Sequence, residues 1–281
     1  MNKHLRNLFR ITQRLLVTFS QTPVAFAFQF KNIPHHLSAF RFAKTASLAP
    51  AETTNSTAPA VSENPLWRYF DAHQEGPGIW KWDHYFEVYH RHLAKFVGRS
   101  THLVEVGIYS GGSLQMWRSY FGPGMHVHGI DIEPACEVYR TEGVDIHIGD
   151  QADRTFWSAF RQKVPQVDIL IDDGGHSPEQ QQVTLEEIFP HLRPGGVYIC
   201  EDIHGDHNRF ASYLSGYCNA MNQTVEQGPA SLAVNPLQKW MHSIHFYPCM
   251  VVIEKRDAEL ASLHNSRRGT QWQPFFPDRV D

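Results

Sequence analysis

The 281-residue chain is poor in cysteine: it has four, Cys136, Cys200, Cys218 and Cys249, and no two stand in C-x-x-C spacing. A cysteine zinc site and a disulfide scaffold are therefore disfavoured, and the thiols read as buried and free in a reducing compartment. Long apolar runs are missing as well. The longest near the start, Thr22 to Phe30, is too short to span a bilayer. Acid is absent from residues 1–51, which carry Lys3, Arg6, Arg10, Arg14, Lys31, Arg41 and Lys44. The rest holds 18 basic and 29 acidic residues, net −11. So acidic a body argues against a nucleic-acid partner, which wants a basic groove.

Arg6, Arg10 and Arg14 recur every four residues among leucines and are followed by a Ser/Thr/Ala/Pro-rich stretch to Pro65. This acid-free amphipathic pattern fits an organelle transit peptide, mitochondrial ahead of plastid. A disordered tail, an over-long start and a surface-lying membrane helix are the alternatives. Residues 1–62 are set aside as a disordered or targeting leader.

Residues 63–100 read as a helical segment. Pro65-Leu66-Trp67 opens it, and apolar residues at helical spacing run from Trp80 to Val97. From Leu103 short apolar runs alternate with helical stretches. Strands are expected at 102–106, 126–131, 144–148, 167–172 and 196–200, and helices at 113–121, 153–163 and 178–189. Two further strands, one of them antiparallel, are expected at 242–247 and 249–255. Residues 203–235 mix helix and loop. The β-α-β rhythm predicts an α/β fold with a seven-stranded, mostly parallel sheet, helices on both faces and a helical N-terminal extension. The folded domain is placed at 101–258 and a tail at 259–281.

Chemistry gathers where these strands end. Ile169-Leu170-Ile171 runs into Asp172-Asp173-Gly174-Gly175-His176, and Val197-Tyr198-Ile199-Cys200 runs into Glu201-Asp202. In open α/β sheets ligands bind beyond the carboxyl ends of the strands. Two adjacent strands ending in acid would offer a hard divalent cation an oxygen site. Val104-Glu105-Val106-Gly107-Ile108-Tyr109-Ser110-Gly111-Gly112-Ser113 follows a strand and opens a helix. Its G-x-x-x-G-G spacing fits a dinucleotide pyrophosphate poorly. A nucleoside fits better: Glu105 would accept from an ammonium or a water, Asp131 would take ribose hydroxyls, and Asp150, followed by Gln151, would meet an adenine amino group.

This pattern resembles the class I S-adenosylmethionine-dependent methyltransferases over about 102–255, which have a Rossmann-like fold. Gly78-Ile79-Trp80-Lys81-Trp82, the 107–113 turn, 171–176 and Cys200-Glu201-Asp202-Ile203-His204 narrow the resemblance. They are similar to the metal-dependent macrocin, mycinamicin and rhamnosyl sugar O-methyltransferases and the related cephalosporin hydroxylase family. The resemblance implies S-adenosyl-L-methionine and Mg2+ as cofactors. Carried over by position, it implies Asp173, Glu201 and Asp202 as metal ligands and His176 as catalytic base, with His204 the competing histidine. Glu105, Gly107, Gly111, Ser113, Asp131, Asp150, Gln151 and Asp172 would serve cofactor binding. The expected acceptor is a small molecule with vicinal oxygens, a sugar first, and self-association of the chain is a further expectation. Trp80, Trp82 and Tyr85 are candidates for the pocket wall. A hydroxylase-like enzyme and a non-catalytic cofactor-binding partner are the competing functions. The first is disfavoured because a facial iron triad wants two histidines and one carboxylate.

Overall fold

The computed structural model describes residues 32–39, 41–43, 63–204, 209–228 and 231–269. Residues 1–57 form one unit, in which 32–39 and 41–43 are helical, and residues 58–281 form a second. The rest of the expected leader lies outside the described residues. Among the described residues, no helix is long and apolar enough to cross a membrane.

The second unit is built on a seven-stranded sheet. In chain order its strands are β1 (Thr101–Val106), β2 (Met125–Asp131), β3 (Val144–Ile148), β4 (Val167–Asp172), β5 (Leu192–Cys200), and two later ones, β8 (Met241–Tyr247) and β9 (Met250–Lys255). Their spatial order is β3-β2-β1-β4-β5-β9-β8. β1 to β5 pair in parallel, and β9 alone runs against them, antiparallel to both β5 and β8. Successive residues of β1, β4 and β5 feed opposite faces, as the period of two requires. Leu103, Ile169 and Val197 enter one apolar cluster, and Val104, Leu170 and Tyr198 the other.

The first face is covered by α1 (Pro65–Ala72), α2 (Tyr85–Leu93) and α3 (Gly112–Phe121), which bury Leu66, Tyr89 and Trp117 there. The second is covered by α4 (Arg154–Lys163), α5 (Pro178–Ile188) and α6 (Arg209–Met221), through Trp157, Leu185 and Leu214. Ser177 and Gln180 close a capping box at the start of α5, with Pro178 in its first turn. The short helix α7 (Pro236–Trp240) precedes β8.

Three expectations need correction. The helix expected from Trp80 starts only at Tyr85. Residues 78–82 stay non-helical because this stretch lies against α3: a Cβ on Gly112 would stand 2.3 Å from the Pro77 carbonyl oxygen and 2.5 Å from that of Gly78. β5 begins at Leu192 rather than 196, and the Arg193-Pro194-Gly195-Gly196 turn survives as a register shift between the Val167–Leu192 and Ile169–Val197 pairs. Finally, β6 (Val225–Gly228), β7 (Ser231–Ala233) and β10 (Ser262–His264) form a second, three-stranded sheet where only mixed helix, loop and tail are expected. Its strands have four residues or fewer, too few for alternation to stand out.

Candidate active site

The ends of four strands are drawn to one place by backbone hydrogen bonds. Gly107 N–H donates to the Ile130 carbonyl at 2.8 Å, Asp173 N–H to Val106 at 3.0 Å and Glu201 N–H to Asp172 at 2.9 Å. Register finishes the work: Asp172 lies opposite Cys200, so Asp173 and Glu201-Asp202 leave the sheet side by side. Gly107 has φ +82°, and a Cβ there would stand 2.0 Å from the Asp173 carbonyl oxygen. Only glycine allows the β1 turn to pass this close to the β4 loop.

A cleft of about 690 Å³ opens at this edge. Gly107, Ser113, Asp131, Asp150, Gln151, Asp173, His176, Glu201, Asp202 and His204 all line it. Trp80, Lys81, Trp82 and Tyr85 line it from the α1–α2 connection and the start of α2. Three proposed cofactor contacts are not among its lining residues. Glu105 is fully buried behind Ser113, whose hydroxyl donates to its Oε2 at 2.8 Å. Gly111, at φ +75°, answers to packing: a Cβ would stand 2.6 Å from the Tyr139 ring. Asp172 is buried and held by Gln151 Nε2 at 2.8 Å, the Tyr198 hydroxyl at 3.3 Å and Gly174 N–H at 3.4 Å. Burial, offset by these donors, pushes its pKa up to about 6. Asp172 thus braces the loop that carries Asp173. Gln151 shares that task, accepting from Gly175 N–H at 2.7 Å.

Lys81 is the residue that sequence reasoning missed. Its side chain is 3% exposed, and its ammonium lies 2.6 Å from Asp173 Oδ2, 3.1 Å from Glu201 Oε2 and 3.7 Å from Glu105 Oε1. Burial opposes that charge, and the three carboxylates outweigh it, so its pKa stands well above the ordinary value. Burial and the neighbouring Asp173 raise the Glu201 carboxyl, while Lys81 and the Tyr89 hydroxyl draw it back. That hydroxyl donates to Glu201 Oε1 at 2.5 Å. Asp202 Oδ1 accepts from Trp82 Nε1 at 3.0 Å and the Tyr85 hydroxyl at 2.9 Å. The sequence signal for Lys81 is its place in the Gly78–Trp82 stretch, and the helical expectation from Trp80 conceals its role.

Asp173, Asp202 and His176 each offer a ligand atom within 4.8 Å of the other two. His176 Nε2 is 3.7 Å from Asp202 Oδ2. Glu201 adjoins this group through the Lys81 it shares with Asp173. His176 at φ +54° and Asp202 at φ +53° both adopt the left-handed backbone that side chains with a Cβ disfavour. Such strain concentrates where function fixes geometry. The donor set suits a hard cation: three carboxylates from two strand ends, with one imidazole beside them. Glu105 Oε1 is buried without a hydrogen-bond partner and is faced by the Lys81 ammonium at 3.7 Å, while the Gly107 turn, Ser113, Asp131 and Asp150 line the cleft itself.

The seven-stranded sheet has one reversed strand, a glycine turn after β1 and acids at the ends of β2, β4 and β5. The family model described as "Methyltransferase domain" matches residues 104–203. The chain is 28% identical over 202 residues to 8-demethyl-8-alpha-L-rhamnosyl tetracenomycin-C 2'-O-methyltransferase of Streptomyces olivaceus, covering 65% of this chain and 53% of that one. It is 34% identical over 122 residues to mycinamicin VI 2''-O-methyltransferase of Micromonospora griseorubida, covering 41% and 30%. The MycE methyltransferase of the mycinamycin pathway, solved with Mg, SAH and mycinamycin VI, superposes with a TM-score of 0.56 at 25% identity, covering 72% of this chain and 54% of that one. The chain spans about half the length, or less, of the curated relatives it matches.

Proposed function

We propose that this protein is an S-adenosyl-L-methionine-dependent, Mg2+-dependent O-methyltransferase acting on a hydroxyl of a sugar, glycoside or polyol. The observation that carries the reading is the meeting of Asp173, His176 and Asp202 in the same cleft as the Gly107 turn. The relatives named above, O-methyltransferases of sugar-bearing compounds, support it.

Asp173, Glu201 and Asp202 would hold the cation, and the Gly107 turn, Ser113, Asp131 and Asp150 would hold the cofactor, with Glu105 behind them. When bound, the cation lowers the cost of charge on an acceptor hydroxyl and the sulfonium supplies an activated methyl group. The protein's own part is positioning and proton transfer. His176 stands at the cleft wall beside Asp202, where an imidazole can take the hydroxyl proton. Trp82 and Tyr85 fix Asp202 through Oδ1, and its Oδ2 faces that ring at 3.7 Å. Lys81 offsets part of the charge of Asp173, Glu201 and Glu105, which helps the acids lie together before any cation arrives. Exposed rings at the cleft, Trp80 (88% exposed) and Tyr109 (77%), offer apolar faces to an acceptor.

The test is incubation of purified protein with labelled S-adenosylmethionine and a panel of glycosides, with Mg2+ or with EDTA. Label transfer that EDTA abolishes supports the reading. Cofactor binding without transfer to any glycoside favours a non-catalytic partner, and no cofactor binding at all sinks the proposal. Asp173→Asn should lose turnover while cofactor affinity changes little.

A further inference from the structure

Away from the cleft, the face that α4 covers carries a histidine cluster that the proposed reaction leaves unused. His102 on β1, His126 and His128 on β2 and His147 on β3 share this face by the period of two, and Asp145 stands in register with His128. His126 lies five residues back along β2 from Asp131, about 16 Å at the usual rise of a strand. The rings form a ladder. His102 Nδ1 is 3.0 Å from His128 Nε2, and His128 Nδ1 is 3.3 Å from His147 Nε2. The His126 and His128 ring centroids are 4.6 Å apart. His126 Nε2 meets Asp145 Oδ2 at 2.8 Å, while Arg140 occupies Asp145 Oδ1 at 3.1 Å.

One ligand atom from each of His126, His128 and Asp145 lies within 4.8 Å of the other two. We propose that these three residues form a second metal site, selective for a borderline cation such as Zn2+. Nitrogen and carboxylate donors in this ratio favour zinc over magnesium, unlike the carboxylate-rich set in the cleft. One nitrogen of His128 takes the ion, and the other keeps its hydrogen bond to a neighbouring ring. That is how metal-binding histidines are commonly held in orientation. Entry is open, since His126 is 37% and Asp145 45% exposed, while the buried His128 supplies the fixed end.

The test uses the full chain, stripped of metal and returned to excess Mg2+. Zn2+ is titrated against a chromophoric chelator, and melting is followed in parallel. The wild type should bind zinc and melt higher with it. His126→Ala and Asp145→Asn, both at half-exposed positions, should melt like the wild type without zinc. They should bind it at least tenfold more weakly and lose the zinc-dependent rise. Asp173→Asn should keep zinc binding at this cluster. Absence of zinc binding by the wild type overturns the proposal, as does zinc affinity that His126→Ala and Asp145→Asn leave unchanged.

Discussion

Replacing Lys81 by methionine removes the one ammonium that serves three acids. Its side chain is 3% exposed, against 0% for Glu105, 1% for Glu201 and 18% for Asp173. Removing one partner of a buried ion pair typically costs about 3–5 kcal/mol, because the other charge stays behind unpaired. Here two of the acids left behind are wholly buried. For a folded unit of this size, that cost is a fall in melting temperature of about 6–20 °C. The assay is thermal melting of wild type and Lys81→Met, each in EDTA and in Mg2+. If the acids form a cation site, Mg2+ supplies part of the missing charge. The deficit should then be full in EDTA and smaller in Mg2+. A variant that melts with the wild type in EDTA would refute the compensation, and a deficit that Mg2+ leaves untouched would refute the cation site.

Gly107→Ala should destabilise the protein by about 1–3 kcal/mol from its φ alone. It should also weaken cofactor binding, because its Cβ would push against the Asp173 carbonyl at 2.0 Å; urea unfolding and cofactor titration check both. Gln151→Ala removes donors to Asp172 and Thr184 and the acceptor for Gly175, a loss of about 1–3 kcal/mol for each group left unpaired. Turnover should fall with it as the loop bearing Asp173 loosens. Glu254 is held down to about 2 by its hydrogen bond from His92, against burial and with help from Lys95. A depressed carboxyl stabilises the fold above its unfolded pKa, and that share is lost as pH falls from about 4.3 toward 2. Urea unfolding between pH 6 and pH 3 should therefore show a shallower loss of stability in Glu254→Gln than in the wild type.

Most of the sheet was legible because its parallel strands are buried on both sides and read as plain apolar runs, Ile169-Leu170-Ile171 above all. The acids at their ends were legible for the same reason: a carboxylate that follows such a run falls at the sheet edge. What the sequence hid is tertiary. Lys81 sits among aromatics whose spacing suggests a helix, yet the stretch is non-helical, and its start packs closely against Gly112. Asp172 and Asp173 are identical in type and adjacent, yet one braces the loop and the other lines the cleft. Alternation along the strand turns neighbours to opposite sides, and no local pattern says which side holds the ligand. Glu105 was legible as a site acid, but its position behind Ser113 depends on how α3 packs. The histidine ladder was equally invisible, because its members come from three strands.

The central claim is that a divalent cation at Asp173 and Asp202 shares one cleft with the methyl donor. Nuclear magnetic resonance of S-adenosylmethionine carrying a 13C-labelled methyl group tests it directly, with paramagnetic Mn2+ in place of Mg2+. The account predicts strong Mn2+-dependent broadening of the bound methyl signal, abolished in Asp173→Asn/Asp202→Asn. A bound methyl signal that Mn2+ leaves sharp would contradict it.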